Sequence, residues 1–199
     1  DTEDDEFGSS GVVRQDRDGE YRRDTRFEFS PQSTGRNSPS VYGAAFYEAL
    51  FWDRRAGQEF RDLEGNVILP EFAALETQAV APLTSPVEMA NEARTWAAIT
   101  TKLAAARPLA LAHALPAELA AFVADASYGE LFARVFGSEE ITRERIAMAL
   151  ATFERILVPD QTPFDLGTMT SEQELGFQVF RTRGSCTACH LETNRLFTD

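Results

Sequence analysis

The sequence predicts an all-α protein. Several short stretches carry helix-start signals, and apolar residues recur after them at steps of three and four. No run shows the two-residue alternation that is typical of a half-buried strand. With 199 residues, 43% of them apolar, the chain is long enough to bury a core in one large or two small units.

The chain begins with a segment that carries no helical pattern. Residues 1–40 are rich in Asp, Arg, Glu, Gly and Ser, which predicts an irregular arm that lies on another part of the protein or is partly disordered. The pattern becomes helical from Val41 onward. The stretch SPVE, Ser85–Glu88, combines an N-cap serine, a proline at the first helical position and a capping-box glutamate, so it predicts a helix start.

Two further helices are predicted in the middle of the chain. The stretch SYGE, Ser127–Glu130, repeats the capping pattern, and Gly137 is expected to end that helix. Thr142 is expected to cap a longer helix. The predicted buried stripes are Leu131, Phe132, Val135 and Phe136 in the first helix, and Ile146, Leu150, Phe153 and Leu157 in the second.

A proline-bracketed break divides the predicted helical region. We interpret PDQTPFDLGTMT, which begins at Pro159, as a linker. After it, SEQE at Ser171–Glu174 predicts a short helix whose inward face carries Leu175, Val179 and Phe180. The predicted organisation is an arm at 1–40, a first helical unit at 41–160 and the start of a second unit at 161–199.

Charge and hydropathy exclude two classes of partner. The formal net charge is −13, which would repel nucleic acid and would attract a basic protein. No apolar run approaches the ~20 residues of a membrane helix, so no membrane span is expected. The two cysteines are too few for a disulfide scaffold, so their chemistry is expected to be local.

Both cysteines belong to the stretch CTACH, in which His190 directly follows Cys189 and Cys186 lies three residues earlier. Two thiols and an imidazole in this order are typical of covalent haem c attachment, in which the histidine ligates the iron. A zinc site is a weaker interpretation, because His113, the other histidine, is distant in sequence. A thioredoxin-like dithiol is also weaker, because it requires a strand before the motif and the sequence predicts none there. A plain disulfide remains open. Because bacteria form haem c thioethers outside the cytoplasm, we expect a periplasmic protein.

Five stretches in this order resemble the bacterial di-haem cytochrome c peroxidases: GRNSPSVYGAAF, LFWDRRAG, LETQAVAPLTSPVEM, ITRERIAMALATFERIL and LGFQVFRTRGSCTACH. The resemblance runs from about residue 35 to the end. It implies two cytochrome c-like domains with one haem c each, a calcium ion between them, and reduction of hydrogen peroxide with electrons from a small cytochrome or copper protein. A homodimer is a separate expectation, which the resemblance does not supply.

The resemblance further implies that CTACH holds the electron-entry haem. A second, peroxidatic haem is then expected upstream of Asp1, and a methionine ligand beyond Asp199, so that the chain is a fragment with a truncated second domain. Ordinary roles remain open for the methionines within this chain, and His113 is expected to be an ordinary surface or packing histidine.

The resemblance assigns roles to three residues, each of which also has an ordinary alternative. Glu88 matches the acid/base glutamate beside the peroxide-binding iron, although a capping role alone would also explain it. Trp52 matches a tryptophan that passes electrons between the haems, although most tryptophans are core residues. Asn37 matches a calcium ligand, although it is also a typical turn residue. Three further matched positions, Arg55, Gln78 and Pro86, are expected to support the site.

The sequence also departs from the family pattern. RFEFSPQSTGRN lacks the histidine that blocks the peroxidatic iron in many members, Arg54 stands where the family generally has glycine, and QEFRDLEGNVILPEFA is a longer insert than usual. Two alternative functions therefore stay open. One is a di-haem oxidase of a protein or organic substrate, and the other is a non-enzymatic monohaem electron carrier.

Overall fold

Helices are the main regular secondary structure in the part of the chain that this computed structural model describes, residues 8–192. The prediction of a mainly helical protein is confirmed, whereas the cytochrome c-like arrangement stays a prediction. The predicted arm and second unit extend into residues 1–7 and 193–199, which lie outside the described residues. The helices are α1 Ala74–Val80, α2 Trp96–Ala105, α3 Ala117–Val123, α4 Tyr128–Phe136, α5 Arg143–Arg155 and α6 Ser171–Arg181.

The expectation that the chain has no strands is wrong. The insert forms a small antiparallel hairpin from β1, Phe60–Arg61, and β2, Val67–Leu69. The turn between them is closed by Asp62, whose carboxylate accepts hydrogen bonds from the backbone and side-chain amides of Asn66 at 2.7 and 2.8 Å. Strands this short are too brief to show the alternation that a sequence pattern needs.

The described chain divides into two compact units. Unit 1 contains the residues up to Pro39 together with Glu48–Thr152, and unit 2 contains Ser40–Tyr47 together with the residues from Phe153 onward. The predicted domain boundaries at residues 40 and 160 stay a prediction. No helix among residues 8–192 is both long enough and apolar enough to cross a membrane.

The core of unit 1 is built mainly from small side chains. Ala73, Val80 and Ala147 pack around Phe60, whose side chain is 1% exposed. Because alanine allows close approach of the helix backbone, α5 is buried along Ala147 and Ala151. The predicted stripe of α5 is therefore only partly right: Ile146 is buried, whereas Leu150 and Phe153 are exposed.

Local capping signals predict α4 and α5 correctly. Ser127 and Glu130 form a reciprocal capping box at the start of α4, and Gly137 ends that helix with a φ of 83°. The Thr142 hydroxyl accepts a hydrogen bond from the amide of Arg145 in the first turn of α5. In α4, Phe132 is buried as expected, but Val135 is exposed.

The helix predicted at Ser85 does not form. Residues 86–89 make a single turn, and the next helix, α2, starts at Trp96 after the capping residue Thr95. A continuing helix would direct the amide of Glu92 to the carbonyl of Glu88. Instead, the Glu92 amide donates to the carbonyl of Gln15 in the arm, at 3.0 Å. The arm thus provides the acceptor for an amide that a continuing helix would have bonded internally.

Unit 2 contains α6 and the turn that carries the haem motif. The N-cap of α6 is Thr170, paired with Gln173, rather than the predicted Ser171. The predicted inward face is wrong for Leu175 and Val179, which are exposed, whereas Phe180 is half-buried. After α6 the chain turns through Thr182–Gly184, in which the Gly184 amide donates to the carbonyl of Val179, and enters a 3-10 turn at Cys186–Ala188.

Candidate functional site

A cavity of about 610 Å³ within unit 1 brings together residues that are far apart in sequence. Its wall includes Asn37 at the end of the arm, Arg55, Gln78 of α1, and Glu88. The resemblance points to these four residues, and the fold places them around one space. Pro86 is not part of the wall, but its carbonyl accepts a hydrogen bond from the Gln32 side chain.

Glu88 lies half-buried on this wall, at the end of the turn that starts at Ser85. Its backbone amide donates to the hydroxyl and the carbonyl of Ser85, at 3.3 and 3.2 Å. A full capping box also requires the Glu88 carboxylate to accept from the Ser85 amide. Among the described residues the carboxylate makes no hydrogen bond or ion pair, so the second hydrogen bond of the capping box is not formed. A carboxylate in this position can accept and return a proton.

Two arginines on the same wall are held by one aspartate. Asp53 pairs with Arg36 at 2.5 Å and with Arg55 at 3.1 Å. Desolvation tends to raise the pKa of Asp53, but hydrogen bonds from Arg55 and the positive charges of both arginines hold it below its ordinary value of 3.8. The guanidinium of Arg55 also lies 3.4 Å from the centre of the Phe51 ring. These contacts fix the cationic groups in place.

Trp52 lies outside this wall, directly after Phe51, which is part of it. Its side chain is fully exposed, at 102% of the reference area, so the alternative that it is a core residue is wrong. An exposed tryptophan can contact a partner or another part of a larger protein. His113 is also exposed, as is Asn37.

No cluster of three or more His, Cys, Asp or Glu side chains suited to a metal ion occurs within residues 8–192. A calcium ligand set can also include amide and backbone carbonyl oxygens, which such a cluster does not count. The predicted role of Asn37 as a calcium ligand therefore stays a prediction.

The haem motif forms a compact turn after α6. The amide of His190 donates to the carbonyl of Cys186 at 2.9 Å, which places the imidazole and both cysteines on one loop. Both thiols are free, so the alternative of a disulfide between them is not formed. The His190 ring lies 6.3 Å from the ring of Phe180, centre to centre. Neighbouring thiols and an exposed imidazole suit the covalent attachment and ligation of haem c.

An apolar cavity of about 620 Å³ lies within unit 2. Phe46, Phe164, Phe177 and Phe180 contribute to its wall. Phe177 and Phe180 project from α6, and Phe180 also contacts His190. Phe180 thus links the aromatic wall to the loop of His190, and an aromatic wall suits a large planar apolar group such as a porphyrin.

Sequence reasoning missed the contribution of the arm to the cavity in unit 1. Gln32 donates to the carbonyl of Pro86 at 3.0 Å, and the Val12 amide donates to the carbonyl of Val87 at 2.9 Å. Gly11 approaches the same Val87 carbonyl closely. Neither glutamine nor valine carried a motif there, and only the short GSSG stretch at 8–11 indicated a tight backbone path.

A family model described as di-haem cytochrome c peroxidase matches residues 13–174. Methylamine utilization protein MauG of Methylophilus methylotrophus is 30% identical over 84% of this chain and 40% of its own length. Cytochrome c551 peroxidase of Nitrosomonas europaea is 29% identical over 77% of this chain and 36% of its own length. Cytochrome c peroxidase Ccp of Escherichia coli K12 is 28% identical over 77% of this chain and 26% of its own length.

The chain therefore spans 40% or less of the length of these relatives. The matched segment includes Asn37, Trp52 and Glu88 and ends before the haem motif at 186–190. It also begins inside the arm, upstream of the stretches that carried the resemblance.

Proposed function

We propose, because this chain belongs to the di-haem cytochrome c peroxidase family, that it forms part of a peroxidase that reduces hydrogen peroxide to water. The observation that carries the proposal is the Glu88 carboxylate on the wall of the cavity in unit 1, inside the segment that matches the family. Among the described residues this carboxylate makes no hydrogen bond or ion pair. The electron donor is a small redox protein, a cytochrome or a copper protein.

Glu88 is the acid/base group of this proposal. The overall reaction, H2O2 + 2 e− + 2 H+ → 2 H2O, cleaves the O–O bond and protonates both oxygens. The Glu88 carboxylate takes a proton from one oxygen of peroxide and delivers it to the other oxygen, which leaves as water. Arg36 and Arg55 hold positive charge on the same wall, where it favours the negative charge that develops on the departing oxygen.

Haem c is the cofactor that the family implies, and the residues of unit 2 fit it. Cys186 and Cys189 would anchor the group, and His190 would ligate its iron from the loop beside Phe180. When bound, haem supplies the electron transfer that these side chains cannot perform. One haem is attached in this chain, and a second belongs to another part of the protein.

Three further features complete the proposal. Trp52 passes electrons toward the peroxide site. Its ring is exposed, so that another redox group can contact it. Asn37 contributes a side-chain oxygen to a calcium ion. The protein acts in the periplasm, because haem c is attached outside the cytoplasm, and it forms a homodimer.

A second candidate is a di-haem oxidase of a protein or organic substrate. The hairpin in the insert supports it, since Leu63 and Phe72 expose 65% and 66% of their surface beside Asp62 and Glu64. Exposed apolar residues mark a protein contact where they form one contiguous patch, and the proposal is that these two belong to such a patch. Two of the relatives are named methylamine utilization protein MauG rather than peroxidase.

The test compares peroxide-dependent oxidation of a reduced small cytochrome by the full-length protein and its Glu88→Gln variant. We expect a loss of about 100-fold or more in kcat, because glutamine cannot take up the proton. Glu118→Gln is the matched control, since Glu118 is exposed at the start of α3, away from the cavity wall, and should leave turnover unchanged. Unchanged turnover in Glu88→Gln would remove Glu88 from the mechanism. Absence of peroxide reduction in the unmodified protein would favour the oxidase.

A further inference from the structure

The turn that carries Glu88 is held by the N-terminal arm through backbone carbonyls. The Gln32 side-chain amide donates to the carbonyl of Pro86 at 3.0 Å and to the carbonyl of Val12 at 3.2 Å. The Val12 amide donates to the carbonyl of Val87 at 2.9 Å. Two consecutive peptide groups immediately before Glu88 are therefore bonded to the arm.

The fit between the arm and this turn is close. A Cβ atom on Gly11 would lie 1.9 Å from the carbonyl oxygen of Val87, which is far inside van der Waals contact. The Gly11 amide in turn donates to the carbonyl of Gln32 at 2.8 Å. A backbone hydrogen bond therefore joins Gly11 and Gln32 beside the turn. A side chain at position 11 would clash with the Val87 carbonyl and displace the arm.

The arm also holds the chain on the other side of Glu88. The Glu92 amide donates to the carbonyl of Gln15, and the Glu92 carboxylate pairs with Arg14 at 2.9 Å. The Asn91 side chain donates to the carbonyl of Arg17 at 3.0 Å. Residues before and after Glu88 are therefore anchored on the same partner segment.

We propose that the arm, acting through Gln32, positions the Glu88 carboxylate in the cavity. Because that carboxylate makes no hydrogen bond or ion pair of its own among the described residues, its location depends on where the backbone of the turn is held. Gln32 is a positioning residue, since it bonds the turn and acts on peroxide only through Glu88. The inference rests on the proposed role of Glu88.

The test is a double-mutant cycle in the full-length protein with its haem groups. Gln32→Met keeps an unbranched side chain of similar length but removes the donor to Pro86 and Val12. We expect kcat to fall roughly ten- to a hundredfold, because a displacement of about 1 Å in a catalytic group costs that much, with the KM for the cytochrome unchanged. In the Glu88→Gln background the same substitution should cause no further loss. Gln58→Met, at an exposed glutamine of unit 1, is the matched control and should not change kcat.

Amide hydrogen exchange supplies a readout that is independent of turnover. Gln32→Met should speed exchange in the peptide that contains residues 85–92, whereas Gln58→Met should not. Unchanged exchange there, unchanged kcat, or an equal loss of kcat in the Glu88→Gln background would overturn the positioning role. If Glu88→Gln alone leaves turnover unchanged, the proposed peroxidase role of Glu88 fails, and the positioning role fails with it even where exchange is faster.

Discussion

At the scale of single residues, the backbone explains why glycine would suit position 54, where this sequence departs from the family pattern. Arg54 has a φ of 55°, in the left-handed region that favours glycine, and its amide closes a turn on the carbonyl of Phe51 at 3.0 Å. The resemblance leads us to expect glycine at this position, and the geometry gives a physical reason for that expectation. The arginine gains little in return, since its pairing with Glu48 is exposed and 3.9 Å long.

Replacement of Arg54 should therefore separate glycine from alanine. We expect Arg54→Gly to be more stable than Arg54→Ala by roughly 0.5 to 1 kcal/mol, because glycine adopts a positive φ without strain. This difference already allows for the larger conformational entropy of glycine in the unfolded chain, which opposes folding. Thermal or urea unfolding followed by circular dichroism measures the difference. Equal stability of the two variants would show that the turn relaxes to a negative φ when the side chain is shortened.

At the scale of secondary-structure elements, the sequence predicts what local interactions decide. The caps at Ser127 and Thr142 are correct because the hydrogen bonds that define them lie within a few residues. The helix expected at Ser85 fails because the arm, distant in sequence, takes up the backbone of Glu92. The position of Glu88 could therefore not be predicted from its own segment. Exposure of Leu175 was likewise unpredictable, since periodicity identifies an apolar face but not what covers it.

The N-terminus of α4 provides a test of these local interactions. Ser127→Ala should destabilise the protein by about 1 kcal/mol, because the hydroxyl that accepts from the Glu130 amide is lost. Ser127→Thr keeps the hydroxyl and is the control. The measurement is chemical unfolding of each variant at neutral pH, and an Ala variant as stable as the Thr variant would contradict the capping role.

The same cap adds a dependence on pH. Hydrogen bonds from the amide and the hydroxyl of Ser127 lower the pKa of Glu130 from its ordinary value of 4.5. The stabilisation is therefore complete above about pH 4.5 and is lost as the pH falls through the folded-state pKa. The stability difference between Ser127→Thr and Ser127→Ala should shrink in acid, and a constant difference would argue against this coupling.

At the scale of the whole molecule, the two units carry two parts of one proposed chemistry. Unit 1 holds the cavity with Glu88, and unit 2 holds the two thiols, the imidazole and a separate aromatic wall that reaches His190 through Phe180. The motif CTACH could be predicted from sequence because its chemistry depends on spacing within five residues. The cavity could not, since its wall combines the arm, α1 and two turns.

The most direct test of this assignment is mass spectrometry of the peptide that contains Cys186, Cys189 and His190, from protein matured in a host that attaches haem c. We predict that both sulfurs are joined to one haem and that the protein has a Soret band, whereas a Cys186→Ser, Cys189→Ser variant carries no covalently attached haem on this peptide. Thiols that are free or joined to each other in the unmodified protein would contradict the assignment of this loop as a haem c site.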